Sequence, residues 1–216
     1  MRTVPIALSF VAAASVGLFA VAGGPAATSS SMPSGTPMTP EMMAADAFNS
    51  GLKHLTGGDK AVAGKKPDQK KAFDEYTKAM KDFQKAVKLD PKNYRAFNGL
   101  GYAYRKTGDY TKALENYSSA LNISPSFPDA IEYRGEAYLG LNKPEDAKQA
   151  YMSLFASSRT HADTLLKAMK TWVDERHANP AGVDPAALAA FEGWLHERAA
   201  LAGLTVEMAR NSPGWR

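Results

Sequence analysis

The sequence contains no cysteine among its 216 residues. This absence excludes disulfide bonds, thiolate nucleophiles and cysteine-based metal sites, so a hydrophobic core must hold the fold together. The excess of basic over acidic residues is also small, since 26 basic residues against 22 acidic residues leave a net charge of only +4. A surplus this small does not indicate a nucleic-acid-binding protein, and we expect no nucleic acid as a partner.

Motifs of the common enzyme classes are missing as well. The sequence has no phosphate-binding loop, no Gly-x-Ser-x-Gly and no His-Glu-x-x-His, and no serine has a base at a recognisable spacing. Two of the four histidines have an acidic residue nearby in the sequence, Glu192 before His196 and Glu175 before His177, and neither pair has a third ligand at a telling spacing. We therefore expect no catalytic residue, no metal and no cofactor. An enzymatic or metal-binding site in the C-terminal helices or the methionine-containing N-terminal tail stays open as an alternative.

One long apolar run is present, at the N-terminus. Arg2 precedes apolar and small residues that end in Ala20-Val21-Ala22, which is the pattern of a secretory signal peptide. We predict that residues 1–22 are a signal peptide and that the protein is periplasmic or secreted. The alternative is a retained anchor, which would make the membrane a partner, because the run is just long enough to cross a bilayer. Residues 23–40, rich in Pro, Gly, Ser and Thr, are predicted to be a disordered linker.

The middle of the chain repeats itself every 34 residues. Shifting the stretch 94–127 forward by this distance aligns Gly101 with Gly135, and shifting it backward aligns Tyr117 with Phe83. Within each unit, apolar residues recur at i, i+3, i+4 and i+7 on two successive segments. Each unit is therefore predicted to be a pair of antiparallel helices.

Small and large residues alternate at helical spacing in the best of these units. We predict that Gly101 and the alanines let neighbouring helices approach closely, while Tyr104 and Tyr117 fill the space between them. Gly108 is predicted to end the first helix of the unit, and Asp109 is predicted to cap the second.

These residues resemble the tetratricopeptide repeat. The family pattern has an aromatic residue, Leu-Gly and a tyrosine on the first helix, then alanine, aromatic, alanine and proline. The unit matches it at Phe97, Leu100, Gly101, Tyr104, Ala113, Tyr117, Ala120 and Pro125. The resemblance implies an all-α protein built as a right-handed solenoid of antiparallel helix pairs. It also implies a non-enzymatic scaffold that binds a protein or peptide partner; a self-assembling structural module is an alternative.

The repeats are less regular before the best unit. We predict about three helix pairs over residues 41–158, with a first helix at 41–56 and an insertion near 57–69. The insertion and its junction with the next helix are rich in lysine: Lys60, Lys65, Lys66, Lys70 and Lys71. A flexible, solvated loop is the favoured interpretation, and contact with anionic lipid or an acidic partner is the alternative.

Two extra helices are predicted after the repeats, over residues 159–204, where they would cap the end of the solenoid. Thr160 is expected to cap the first of them in a capping box, and Asp184 is expected to cap the second. Gly203 is predicted to end the last helix, which leaves residues 205–216 as a tail.

The resemblance implies that the first helix of each pair lines a concave groove. Residues outside the packed stripe form the predicted partner-binding groove: Arg95, Asn98, Tyr102, Arg105, Asp129, Glu132 and Glu136. The preceding helix would add Asp46, Asn49, Lys53 and Thr56.

We predict that Tyr102 anchors a peptide and that Arg95 and Arg105 bind its acidic groups. In the alternative, Arg95 pairs with Asp129 instead. The Lys- and Asn-rich clamp with which some family members hold a C-terminal carboxylate is not reproduced, because Asp129 and Glu132 oppose it.

Overall fold

The computed structural model of the protein describes residues 37–211, with side chains up to residue 201. In this range the chain forms eight α-helices and no strand. They are α1 (Pro40–Ala63), α2 (Gln69–Leu89), α3 (Tyr94–Lys106), α4 (Tyr110–Ile123), α5 (Pro128–Gly140), α6 (Pro144–Ser157), α7 (Arg159–Ala178) and α8 (Pro185–Asn211). The predicted signal peptide and most of the predicted linker lie outside the described residues.

Consecutive helices pack as hairpins, which confirms the predicted all-α solenoid. The pairs are α1 with α2, α3 with α4, and α5 with α6, and each pair contacts the next through α2 with α3 and α4 with α5. Helix α7 packs on both α5 and α6, and α8 packs on α7. None of the helices within residues 37–211 has the length and apolar character needed to span a bilayer.

Glycine and aromatic residues pack against one another as predicted. A Cβ atom added to Gly101 would lie 2.7 Å from Cε1 of Tyr117, and one added to Gly99 would lie 2.6 Å from Cζ of Phe83. Phe83 also fills the space over Gly51, where the added Cβ would again be 2.7 Å from its ring. Both rings are completely buried. A larger residue at these glycines would overlap the rings, so the helices could not approach as closely.

Three of the predicted helix boundaries, at Gly108, Asp109 and Asp184, are confirmed. Gly108 has a positive φ of 87°, which suits glycine, and the Asp109 side chain accepts a hydrogen bond from the Lys112 backbone N–H at 3.1 Å. Asp184 caps α8 in the same way, at 2.9 Å from the backbone nitrogen of Ala187. These caps arise from residues within three positions of each other, which is why the sequence predicts them.

The predicted cap at Thr160 is wrong. Helix α7 begins one residue earlier, at Arg159, and Ser158 is the residue with the extended backbone that precedes a helix. The Ser158 hydroxyl bonds the Nδ1 of His161 at 2.7 Å, and the Thr160 carbonyl already accepts a hydrogen bond from Thr164 within the helix.

The predicted insertion near 57–69 is largely helical, because α1 continues to Ala63 instead of ending at Thr56. Gly58 does not break the helix. It lies under the ring of Tyr76, where an added Cβ would be only 2.5 Å from Cε1. The contact of Gly58 with α2 stabilises the extra turns, and a short turn then leads to Asp68, which caps α2.

The last helix also continues further than predicted, since α8 ends at Asn211 and not at Gly203. A glycine in a helix interior costs only about 1 kcal/mol relative to alanine, so it does not by itself end a helix. Residues 205–211, predicted as part of a tail, are therefore helical.

Candidate functional site

Most of the seven predicted groove residues are buried between α3 and α5. Asn98, Tyr102 and Glu132 are 1%, 7% and 5% exposed. The side chains of Arg105 and Glu136 are each 14% exposed. Of the seven, only Arg95 is exposed, and Asp129 is half-buried. The surface that these residues offer to a partner is therefore smaller than the sequence suggested.

Arg105 is bound inside the protein. Its guanidinium forms an ion pair with Glu136 on α5. It also lies over two aromatic rings, 5.1 Å from the centroid of Tyr102 and 5.2 Å from that of Tyr133. A buried charge that is paired and stacked in this way joins α3 to α5.

Tyr102, the predicted anchor, is also bound internally. Its hydroxyl donates a hydrogen bond to Asp59 Oδ1 at 2.9 Å, and Tyr76 donates to the same oxygen at 2.7 Å. Lys106 Nζ lies 3.9 Å from that oxygen. Burial raises the pKa of both tyrosines, with Asp59 adding to the rise, and burial lowers the pKa of Lys106. Sequence reasoning missed Asp59 because this residue falls in the segment that was predicted to be an insertion.

The carboxyl group of Glu132 is buried and has a raised pKa. Burial, assisted by the nearby charge of Glu136 and opposed by Arg105, raises its pKa to about 8. The Glu132 carboxyl is therefore mostly protonated at neutral pH. Asn98, its equivalent one repeat earlier, has a buried Oδ1 that receives no hydrogen bond from the described residues. We call these buried residues the floor of the groove: Asn98, Tyr102, Arg105, Glu132 and Glu136. The floor combines one ion pair with neutral polar groups.

The alternative pairing of Arg95 with Asp129 does not form. The guanidinium of Arg95 instead lies 5.5 Å from the ring centroid of Tyr94. Asp129 faces α7, where the Nε2 of His161 is 3.8 Å from its Oδ1. Arg95 therefore has no acidic partner among the described residues and is available for another molecule.

The other residues that the sequence assigned to the groove wall lie on α1, and all four are exposed polar residues. Asp46, Asn49 and Lys53 have no ion pair or side-chain hydrogen bond with any residue that the structure describes, and the Thr56 hydroxyl bonds only the backbone carbonyl of Leu52. We call Asp46, Asn49, Lys53 and Arg95 the exposed rim. The rim and the buried floor together form the candidate site.

A polar cluster between α1 and α2 was not predicted. The Ser50 hydroxyl donates to Asp82 Oδ2 at 2.7 Å, and His54 Nδ1 lies 2.7 Å from Glu75 Oε2. Hydrogen bonds from His54 and Lys78 lower the pKa of Glu75 to about 2. The Ser50 hydroxyl donates its hydrogen bond to a carboxylate and not to a histidine. The cluster therefore does not resemble a catalytic serine hydrogen-bonded to a histidine base. Its members come from separate helices, so no sequence spacing points to it.

The C-terminal histidines meet one shared acidic residue. Glu192 lies 3.1 Å from Nε2 of His177 and 3.9 Å from Nε2 of His196. The sequence indicated only the second of these two contacts. Among the described residues, no group of three or more His, Asp or Glu side chains has an arrangement suited to a metal ion.

Comparisons with known proteins find the same type of helical repeat in other proteins. A family model described as TPR repeat matches residues 74–108 and 101–142. The first TPR domain of human RPAP3 is similar over 65% of this chain and 99% of that domain, with 20% identity and a TM-score of 0.51. The second TPR domain of human RPAP3, solved in complex with the HSP70 peptide SGPTIEEVD, covers 61% of this chain and 98% of its own, with 22% identity and a TM-score of 0.50. At this level of identity the similarity shows a shared fold. No curated protein matches the chain.

Proposed function

We propose, from the premise that the chain is a tetratricopeptide-repeat protein, that it is a non-enzymatic scaffold. In this proposal an extended segment of a partner protein lies across α1, α3 and α5. The observation that carries it is the exposed rim, whose polar groups lack partners within the described part of the protein, together with a buried floor whose charged pair, Arg105 and Glu136, is bound internally. A rigid floor with unpaired groups at its edge suits binding of another chain, because little has to rearrange.

The solved complex of the second TPR domain of human RPAP3 with an HSP70 peptide supports a peptide as the class of ligand. The contacts would differ in this chain. We propose that Lys53 and Arg95 bind carboxylates of the partner and that the Asn49 side chain bonds its main chain. Tyr102 and Arg105 would support the bound segment from below and not bind it directly, because Asp59 and Glu136 already occupy their polar groups.

We also propose that the protein acts outside the cytoplasm, which rests on the signal-peptide pattern of residues 1–22. The partner would then be an envelope or secreted protein. Mass determination of the N-terminus of the protein isolated from its own cells tests this part. A protein that retains residue 1 and is found in the cytoplasm would contradict it.

Site-specific photo-crosslinking in the cell tests the scaffold function. A photoreactive phenylalanine derivative is placed at Asn49 or at Arg95, and for the control at Lys85, an exposed residue of α2. We expect one and the same protein to be crosslinked from both rim positions and not from the control. Crosslinking from Asn49 should decrease when Arg95 is changed to Glu.

Three outcomes would count against the proposal. Crosslinks from Lys85 to the same protein would show non-specific proximity, and absence of any product from the rim would show that the rim is not a binding surface. A product of twice the mass of the chain would instead support self-assembly.

A further inference from the structure

The first hairpin is much longer than the second. Helices α1 and α2 have 24 and 21 residues, whereas α3 and α4 have 13 and 14. Asp59 on α1 already lies beside Lys106, the last residue of α3. The residues that follow Asp59, up to the second turn of α2, therefore project beyond the end of α3. We call residues 60–73 the hairpin tip.

The hairpin tip carries the positive surplus of the entire chain. It contains five lysines and one aspartate, a net charge of +4, while the rest of the sequence has 21 basic and 21 acidic residues. The lysines are Lys60, Lys65, Lys66, Lys70 and Lys71, and all five are exposed. None of them lies within ion-pair distance of a carboxylate that the structure describes. The aspartate, Asp68, is engaged as the cap of α2.

An apolar ring accompanies this charge. Phe73 is 55% exposed, although it is a large hydrophobic residue. Every residue from 63 to 71 is exposed as well, so the tip is open to solvent along this stretch. On its flank lies a depression with a volume of about 650 Å³, and the charged residues that line it are Lys53, Lys60, Lys71 and one carboxylate, Glu75. Lysines together with an exposed aromatic ring are typical of segments that lie at a lipid–water interface.

We propose that the hairpin tip docks the protein on the surface of an anionic lipid bilayer. The lysines bind headgroup phosphates, Phe73 inserts among the acyl chains near the headgroups, and the depression has the size to hold one headgroup. A bilayer suits these residues better than an acidic protein does, because the exposed ring of Phe73 has a place among acyl chains, whereas recognition of acidic side chains would use the lysines alone. The inference does not rest on the proposed scaffold function, because the residues that carry it are those of the hairpin tip; Lys53 alone belongs both to the exposed rim and to the lining of the depression.

Sedimentation of the full-length protein with lipid vesicles tests the proposal. One vesicle contains equal parts of phosphatidylglycerol and phosphatidylcholine, and the other contains phosphatidylcholine alone. We expect stronger binding to the anionic vesicle, and high salt should remove the difference. The apolar N-terminal segment is present in every sample, so the difference between the two vesicles isolates the electrostatic contribution.

The double substitution Lys65→Gln/Lys66→Gln should weaken binding to the anionic vesicle about 25-fold, which corresponds to about fivefold for each lysine. The matched control is Lys85→Gln/Lys88→Gln, which removes the same charge from exposed positions at the other end of α2. We expect the control to bind within about twofold of the unaltered protein. Phe73→Ser should weaken binding without changing its dependence on salt.

Equal binding to both vesicles, or equal loss in the tip variant and the control, would overturn the proposal. A third sample, which contains soluble polyglutamate in place of vesicles, tests whether the hairpin tip binds an acidic protein and not a bilayer. Binding to polyglutamate that depends on Lys65 and Lys66, together with no binding to anionic vesicles, would assign the tip to an acidic protein partner instead.

Discussion

The two sides of α3 pack against their neighbours by different chemistry. On the side of α2 and α4, Gly99 and Gly101 receive aromatic rings, and the contact is one of shape alone. On the side of α1 and α5, Tyr102 and Arg105 bind carboxylates. Both sides are buried, but the first is formed by uncharged rings and the second contains charges.

This difference has consequences for stability. The glycine–ring contacts tolerate no added atom but need no particular partner charge, so they depend on volume. The polar contacts depend on pairing, since a charge left alone in the interior is costly. Substitutions on the polar side should therefore have the larger effects, and only that side should respond to pH.

The largest effect is expected for Arg105→Met. The substitution leaves the carboxylate of Glu136 buried without its partner, next to Glu132. We expect the free energy of unfolding to fall by about 3–5 kcal/mol, measured by urea denaturation. The double variant Arg105→Met/Glu136→Leu removes both charges and should recover part of this loss. If the double variant lost as much as the two single variants together, the pair would not be energetically coupled.

A smaller effect is expected on the apolar side, for Gly101→Leu. The new side chain must displace the ring of Tyr117, because even its Cβ would lie 2.7 Å from that ring. We expect a loss of about 1–3 kcal/mol in the free energy of unfolding. Gly193→Leu in α8 is the matched control, since a Cβ added there meets no atom within 4 Å. The packing assignment fails if Gly101→Leu unfolds at the same urea concentration as the unaltered protein.

The third prediction concerns the pH dependence of stability, which we expect Glu132 to cause. The change in the free energy of unfolding per pH unit is smaller than the changes expected for the two substitutions above. Its pKa is raised from 4.5 to about 8 in the folded protein, so the protonated carboxyl contributes stability that is complete below pH 4.5 and is lost as the pH rises through 8. Between these values the free energy of unfolding should fall by about 1 kcal/mol per pH unit. Glu136, Arg105 and Asp129 are the charged groups that act on it. Glu132→Gln should flatten the slope, and a rise in the stability of the unaltered protein over this range would contradict the assignment.

The helix pairs could be predicted because their signals are local. The apolar stripes and the caps at Asp109 and Asp184 each depend on residues within one or two turns of a helix, and the 34-residue repeat is visible when the sequence is aligned with itself. The pairing of Gly101 with Tyr117 was also predictable, because both belong to one repeat. The errors at Thr56, Thr160 and Gly203 occurred at helix ends, where packing against another helix or a competing cap decides the boundary.

The state of the groove residues could not be predicted in the same way. The sequence places Tyr102 and Arg105 on the open wall of a groove, and the repeat pattern offers no reason to bury them. Their partners, Asp59 and Glu136, lie 43 and 31 residues away along the chain. Tyr102 is bound only because α1 continues past Thr56, which in turn depends on the contact of Gly58 with Tyr76.

The sequence by itself therefore determined the all-α repeat architecture and the concentration of positive charge near residues 60–73. The tertiary structure alone decided which polar side chains form the buried floor, which form the exposed rim, and that the lysines sit on a projecting tip. The physical reason is that a helix is held by hydrogen bonds between residues four apart, whereas the burial of a side chain depends on how closely another helix approaches.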